Sequence, residues 1–277
     1  MKTEGASERL SCALAGLARS TCRYCCKPRD DGAVRERLRE LASSRPCFGT
    51  PRLTFFLRQE FGPINHKRVE RLYAEEGLKL PRRSKKRRRG TGRAASLEEP
   101  TRPNERWSMD FVSDSLYDGR RYRTLNIVDD FTRECVHIEV DTGISGQRVA
   151  RVLNFLLEKR SPPGTIVMDN GPEFTSRAML AWFHFSGVKP HFIDPGKPVQ
   201  NCYVESFNGK FRNECLNQNW FISVEEAKLK IEGWRVEFNT WRPHSSLRNQ
   251  TPESFRLAFE KQLSYDNPNR ELSLTLV

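Results

Sequence analysis

A mixed α/β fold, its sheet covered by helices and preceded by a small all-helical unit, is what this 277-residue sequence predicts. Three observations carry that expectation. From Arg106 three neighbouring runs are rich in β-branched and aromatic residues; from Gly146 short apolar runs alternate with helical periodicity; and between residues 31 and 80 apolar side chains recur at helical spacing. The length suits one full domain plus smaller pieces, at roughly 100 to 200 residues per domain.

Val34, Leu38 and Leu41 build the apolar face of a first helix. After the turn FGTP, Leu53, Phe56 and Leu57 continue at helical spacing until Gly62-Pro63 breaks the chain. Asn65 is placed to cap a third helix, NHKRVERLYAEEGL, with Val69, Leu72 and Tyr73 inward and His66, Lys67, Arg68 and Arg71 outward. That basic face suits DNA; the alternative is a solvated helix. Next, PRRSKKRRRGTGR carries Arg82, Arg83, Lys85, Lys86, Arg87, Arg88, Arg89 and Arg93 without one acid. Such a block repels itself until phosphates neutralise it, so it reads as a linker gripping the DNA backbone, or as a solvated spacer.

WSMDFVSDSLY, the turn Asp118-Gly119, RRYRTLNIVDDF and TRECVHIEVDTG predict an antiparallel meander. A helix follows over about 146–159 on Val149, Leu153, Leu156 and Leu157, then the buried strand TIVMD, a helix over 175–187, the strand VKPHFID and a helix from about Asn201. The order is β-β-β-α-β-α-β-α.

A formal charge of +12 points to a polyanionic partner, nucleic acid before an anionic membrane. No apolar run reaches the roughly 20 residues that span a bilayer, and no secretion signal is evident, so a cytoplasmic protein is expected. Eight cysteines at irregular spacing then read as reduced thiols. Cys22 and Cys25 match half of a zinc knuckle, but no second pair of ligands follows.

Three acids stand where chemistry collects. Asp110 interrupts an apolar strand, where a lone carboxylate is costly. Asp169 ends the strand TIVMD at the turn Asn170-Gly171-Pro172, and Glu205 shares a helix face with Asn208 and Arg212. Residue types alone leave Asp114, Asp129, Asp130 and Glu173 as competitors; Asp114 lies on the same strand face as Asp110.

WSMDFVSD, MDNGPEF and GKPVQNCYVESFNGKFRNECL, with 35 residues between Asp169 and Glu205, resemble the three blocks of the retroviral integrase superfamily, the D,D-35-E enzymes. FGTPRLTFFLRQEFGPINHKRVERLYAEEGL and FNTWRPHSSLRNQTPESF extend the resemblance over almost the whole chain, to the second-reading-frame (OrfB) subunit of insertion-sequence-three transposases. The resemblance implies an RNase H-like core and five segments: 1–30 N-terminal, 31–80 helix-turn-helix-like and DNA-binding, 81–103 linker, 104–218 catalytic core, 219–277 C-terminal helical extension. It implies Asp110, Asp169 and Glu205 as catalytic and metal-binding triad, Asn170 and Gly171 as the adjoining turn, with Asn170 contacting DNA, and Arg212 as the associated basic residue.

Cutting and joining DNA strands builds negative charge on the attacking and leaving oxygens. Two Mg2+ or Mn2+ ions about 3.5–4 Å apart would stabilise it, and oxygen ligands suffice to hold them. Arg212 and Lys210 would meet a phosphate near the scissile bond. The expected function is metal-dependent cleavage of insertion-sequence ends and strand transfer into target DNA, by a homo-oligomer working with, or fused to, a first-reading-frame (OrfA) product; residues 1–30 lack the heptads that product supplies. Two alternatives stay open: an inactive DNA-binding remnant or regulator, and an RNase H-like nuclease that cuts without joining. His244 in RPHSSL has a DNA-contacting or a core-bracing role.

Overall fold

The computed structural model describes residues 7–25, 30–80, 97–194 and 198–266. Arg82, Arg83, Lys85, Lys86, Arg87, Arg88, Arg89 and Arg93 of the basic stretch lie outside the described residues. Two short helices, α1 (Glu8–Leu14) and α2 (Arg19–Cys22), come first; Cys22 and Cys25 are exposed, whereas Cys12, Cys135 and Cys215 are buried.

Three helices follow, α3 (Gly32–Ser44), α4 (Thr50–Phe61) and α5 (His66–Glu75). Their apolar faces meet as the spacing requires: Val34, Leu38, Leu53, Leu57, Val69 and Leu72 form one buried cluster. Asn65 caps α5 by accepting the Lys67 N–H at 3.0 Å. Of the four expected DNA contacts here, two are engaged within the fold. Arg68 and Arg71 each donate to Asp31 at 2.6 Å, tying α5 to the start of α3, while His66 and Lys67 are exposed at the first turn of α5.

The sheet is built from β1 (Arg106–Ser115), β2 (Arg121–Asp129), β3 (Cys135–Asp141), β4 (Thr165–Met168) and β5 (Lys189–Phe192), in the order β3-β2-β1-β4-β5. β1, β2 and β3 form the antiparallel meander; β4 and β5 run parallel to β1, as strands reached through helical crossovers must. Gly119, at φ 85°, turns the chain between β1 and β2.

Alternation along β1 divides the core. Trp107 and Met109 join Leu125 and Ile127 on the face covered by α6 (Gly146–Leu157) and α7 (Arg177–Ser186). Gly146 is obligatory there, because a Cβ would stand 1.9 Å from Ser176 Oγ. Val112 and Val128 face α8 (Cys202–Glu214) and α9 (Val224–Thr240), with Phe207, Phe211, Ile231 and Phe238. α9 therefore shares the apolar cluster of the sheet and α8, although it lies beyond residue 218. Asn239 fastens it to the start of β3, accepting the Cys135 N–H at 2.8 Å and donating to the Cys135 carbonyl at 2.9 Å.

α10 (Pro252–Asp266) closes the described chain, and Phe131 packs on its Phe255 and Phe259. The α3–α5 unit meets the core at Trp241, on which Phe56 stacks with ring centroids 4.4 Å apart, and at Glu214, which receives Arg52 at 3.1 Å. No helix among the described residues is long and apolar enough to cross a membrane.

Candidate active site

Strand pairing brings the first two acids together. Ser108 is the register partner of Val167 in the parallel β1–β4 pair. Asp110 stands two residues further along β1 and Asp169 directly after the last residue of β4, near enough for its charge to raise the pKa of Asp110. The same argument separates Asp114, four residues or about 13 Å beyond Asp110. Its neighbour is Arg212, at 3.8 Å.

α8 supplies the third acid. It packs across β1 and β2, burying Val204, Phe207 and Phe211, so the adjoining face presents Glu205, Asn208 and Arg212 toward the sheet. Asn201, at its start, donates to the Met109 carbonyl at 3.4 Å. Asn208 donates to Asp110 Oδ2 at 2.8 Å and accepts from Asn126 Nδ2 at 2.6 Å. Asn126 is itself the register partner of Asp110 on β2. This Asn126–Asn208–Asp110 chain escaped the sequence reading. Its signal was Asn126, a polar residue amid the apolar strand run TLNIV.

The three carboxylates share one electrostatic environment. Asp110 is pushed up to about 6, chiefly by burial; the Phe111 N–H opposes, the charge of Asp169 raises it further, the Asn208 amide opposes, and the charge of Glu205 raises it again. Asp169 accepts the Gly171 N–H at 3.0 Å, and a side chain on residue 171 would crowd that oxygen. Asn170 donates to the Ile193 carbonyl at 2.8 Å, joining the ends of β4 and β5.

The competing acids have structural partners. Asp129 accepts the N–H groups of Asn104, Phe131 and Thr132; Asp130 accepts from Arg106 and Ser108, each at 2.6 Å; Glu173 pairs with Arg123, whose guanidinium lies over Phe111. Arg212 stays on the Glu205 face and donates to the Ser113 carbonyl at 2.9 Å. Lys210 does not join the group: five residues from Glu205, it points about 140° around the helix, beside Arg52 and Arg242. His244 braces the core. It is buried edge-on to Phe238, and burial with the charges of Arg242 and Lys210 lowers its pKa to about 2.

Among the described residues no three His, Cys, Asp or Glu side chains are grouped closely enough to enclose an ion. The donor chemistry nonetheless fits a hard divalent cation. Three carboxylates offer oxygen only, and the half-buried Asp110 carries the repulsion of the other two, which a dication would relieve.

An integrase core domain family matches residues 100–198, a second integrase core domain family matches 186–252, and an HTH-like domain family matches 28–86. An uncharacterized 31.7 kDa protein of insertion element IS407 from Burkholderia multivorans is 48% identical over 250 residues, 90% of each chain. An uncharacterized 39.2 kDa protein of insertion element IS476 from Xanthomonas euvesicatoria is 47% identical over 92% of this chain and 74% of its own. Among solved structures, a chain of the simian T-cell lymphotropic virus intasome aligns with TM-score 0.50 and 15% identity over 79% of this chain and 74% of its own, a likeness of fold. The chain belongs to the insertion-sequence-three family of OrfB-like DDE transposases within the retroviral integrase superfamily, polynucleotidyl transferases built on an RNase H-like core.

Proposed function

We propose that Asp110, Asp169 and Glu205 are the catalytic carboxylates with which this chain cleaves the ends of an insertion sequence and transfers them to target DNA. The observation that carries the reading is the mutual charge of the three acids, Asp110 in the middle of β1 beside Asp169 and Glu205, whereas each competing acid is held by a cation or by backbone N–H groups. The three would hold Mg2+ or Mn2+, two ions by the chemistry of the reaction. Bound there, the metal would supply charge stabilisation at the attacking and leaving oxygens of the phosphodiester.

The remaining work falls to the chain. Asn208 holds Asp110 Oδ2, Gly171 N–H holds Asp169 Oδ1, and Asn126 keeps the Asn208 amide turned to donate. Arg212, one face with Glu205, would meet a phosphate flanking the scissile bond, and the exposed His66 and Lys67 a phosphate on the helix-turn-helix-like side. Assembly of several copies on DNA, together with a first-reading-frame product, and action in the bacterial cytoplasm complete the proposal.

Strand transfer on DNA carrying the element ends tests it. Glu205→Gln is expected to reduce joined product at least about 10³-fold while leaving duplex binding intact, since an amide cannot match a carboxylate toward a hard cation. Undiminished joining would remove the triad. Cut but never joined ends from the wild-type chain would favour the nuclease alternative.

A further inference from the structure

The opposite side of α8 holds a second concentration of charge that the proposed chemistry does not use. Arg52 from α4, Arg242 after α9 and Lys210 from α8 gather around a single acid, Glu214. Arg242 donates to it at 2.6 and 2.7 Å and Arg52 at 3.1 Å, which engages both carboxylate oxygens. Among the described residues no carboxylate forms an ion pair with Lys210. Its pKa is lowered to about 8, by burial first and then by Arg242 and Arg52, and Arg133 adds a further positive charge. Three cations to one acid leave an excess of two.

A half-buried excess of this kind is costly unless an anion meets it. The space for one exists. A cleft of about 460 Å³ lies between α4 and α8, lined by Cys47, Arg52, Ser206, Gly209, Lys210 and Asn213. Gly209 has open space where a Cβ would stand, so a bulky ligand could approach the helix backbone. Leu80 forms part of the wall, and the sequence beyond it carries eight basic residues from 82 to 93.

We propose that this cleft is a phosphate-binding site for the DNA backbone, formed jointly by Arg52 of the helical unit and Lys210 of the core. It rests on the reading of the chain as a DNA-acting transposase and adds to it. The site lies about 140° around α8 from Glu205 and roughly 7.5 Å along its axis, so it does not serve the scissile phosphate. One bound duplex would span the α3–α5 unit and the core through it. Glu214 orients the two arginines, and Lys210 and the outer N–H groups of Arg52 receive the phosphate.

The test uses the full chain, a random-sequence duplex and a chelator, so that no cleavage chemistry enters. Lys210→Gln is expected to lower the slope of log affinity against log salt by about 1 and to weaken binding several-fold, with Lys210→Arg restoring both. Gly209→Glu places a negative charge at the cleft mouth while favouring helix, and should weaken binding likewise. Without DNA, Lys210→Gln should melt at or above the wild-type temperature, because a repelled cation has been removed; a purely structural lysine would melt lower. An unchanged salt slope in both Lys210→Gln and Gly209→Glu overturns the site. Because no cleavage chemistry enters this assay, failure of the catalytic reading shows in strand transfer and failure of this one in binding.

Discussion

Asp110, half-buried within β1, and Asp130, buried in the turn after β2, are both pushed up to about 6 and both first by burial. They differ in what else surrounds them. Ser108 and then Arg106 pull Asp130 back down against a smaller push from the charge of Asp129, and Arg106 donates to it with both residues buried. Around Asp110 the opposing groups are neutral, the Phe111 N–H and the Asn208 amide, while the charged neighbours are Asp169 and Glu205. Burial therefore does not separate the proposed catalytic carboxylate from the structural one; the sign of the remaining charge does. Asp130 is compensated from within, and Asp110 is left wanting a cation from outside.

The largest expected effect breaks that comparison at Asp110. Asp110→Asn should abolish strand transfer, by about 10³-fold or more, yet leave the fold as stable as before or more so by about 1–2 kcal/mol, since a neutral amide escapes the repulsion of Asp169 and Glu205. Activity and urea-denaturation midpoints measured side by side check both halves. A loss of stability would mean that the site is not strained by its charges.

At Asp130 the opposite outcome is expected. Arg106→Met removes the internal cation and leaves Asp130 buried beside Ser108 alone, which should destabilise by about 3–5 kcal/mol. Urea denaturation measures it directly. A cost below about 1 kcal/mol would show that the pair is dispensable and that the two acids are not the contrast drawn above.

How much of this was legible before folding follows from the range of each interaction. Local signals sufficed for the helices of the first unit, the Asn65 cap and the β-β-β-α-β-α-β-α order, because periodicity and turn chemistry act over a few residues. The two-residue period of a strand gave Asp110 a face but could not choose it over Asp114; the Ser108–Val167 register puts Asp110 nearer the end of β4. Arg68 and Arg71 looked outward by spacing, yet Asp31, about 40 residues earlier, claims both. Lys210 looked like a neighbour of Glu205 by sequence distance, and the helical turn of 100° per residue sends it toward Arg52 instead. Asn126 and Asn208 lie 82 residues apart, and no local pattern joins them.

The smallest expected effect sharpens the comparison through pH. Asp130 has a folded pKa of about 6 against an ordinary 3.8, so between those values the native state holds a proton that the unfolded chain has released. Its contribution to stability therefore grows as pH falls from 7 to 5, by about 1 kcal/mol. His244 acts with the opposite sign in the same window. Lowered from 6.5 to about 2, it stays neutral in the fold while the unfolded chain takes up a proton, so acidification costs about 2 kcal/mol there. The surface acids Asp31, Glu60 and Glu76, held below their usual values by arginines, lose their contribution only as the pH falls below about 4.5. Wild type thus sums opposed terms between pH 7 and 5, that of His244 against those of Asp130 and of Asp110, which is likewise raised to about 6. Asp130→Asn deletes its own favourable term, leaves that of Asp110 in place and keeps the amide in hydrogen-bonding reach of Ser108, so its stability should fall more steeply than that of wild type, by about 1 kcal/mol over the window. Urea denaturation of both proteins at pH 7, 6 and 5 decides it: parallel curves would mean that Arg106 compensates Asp130 fully, and the two acids would then differ in burial cost as well as in neighbours.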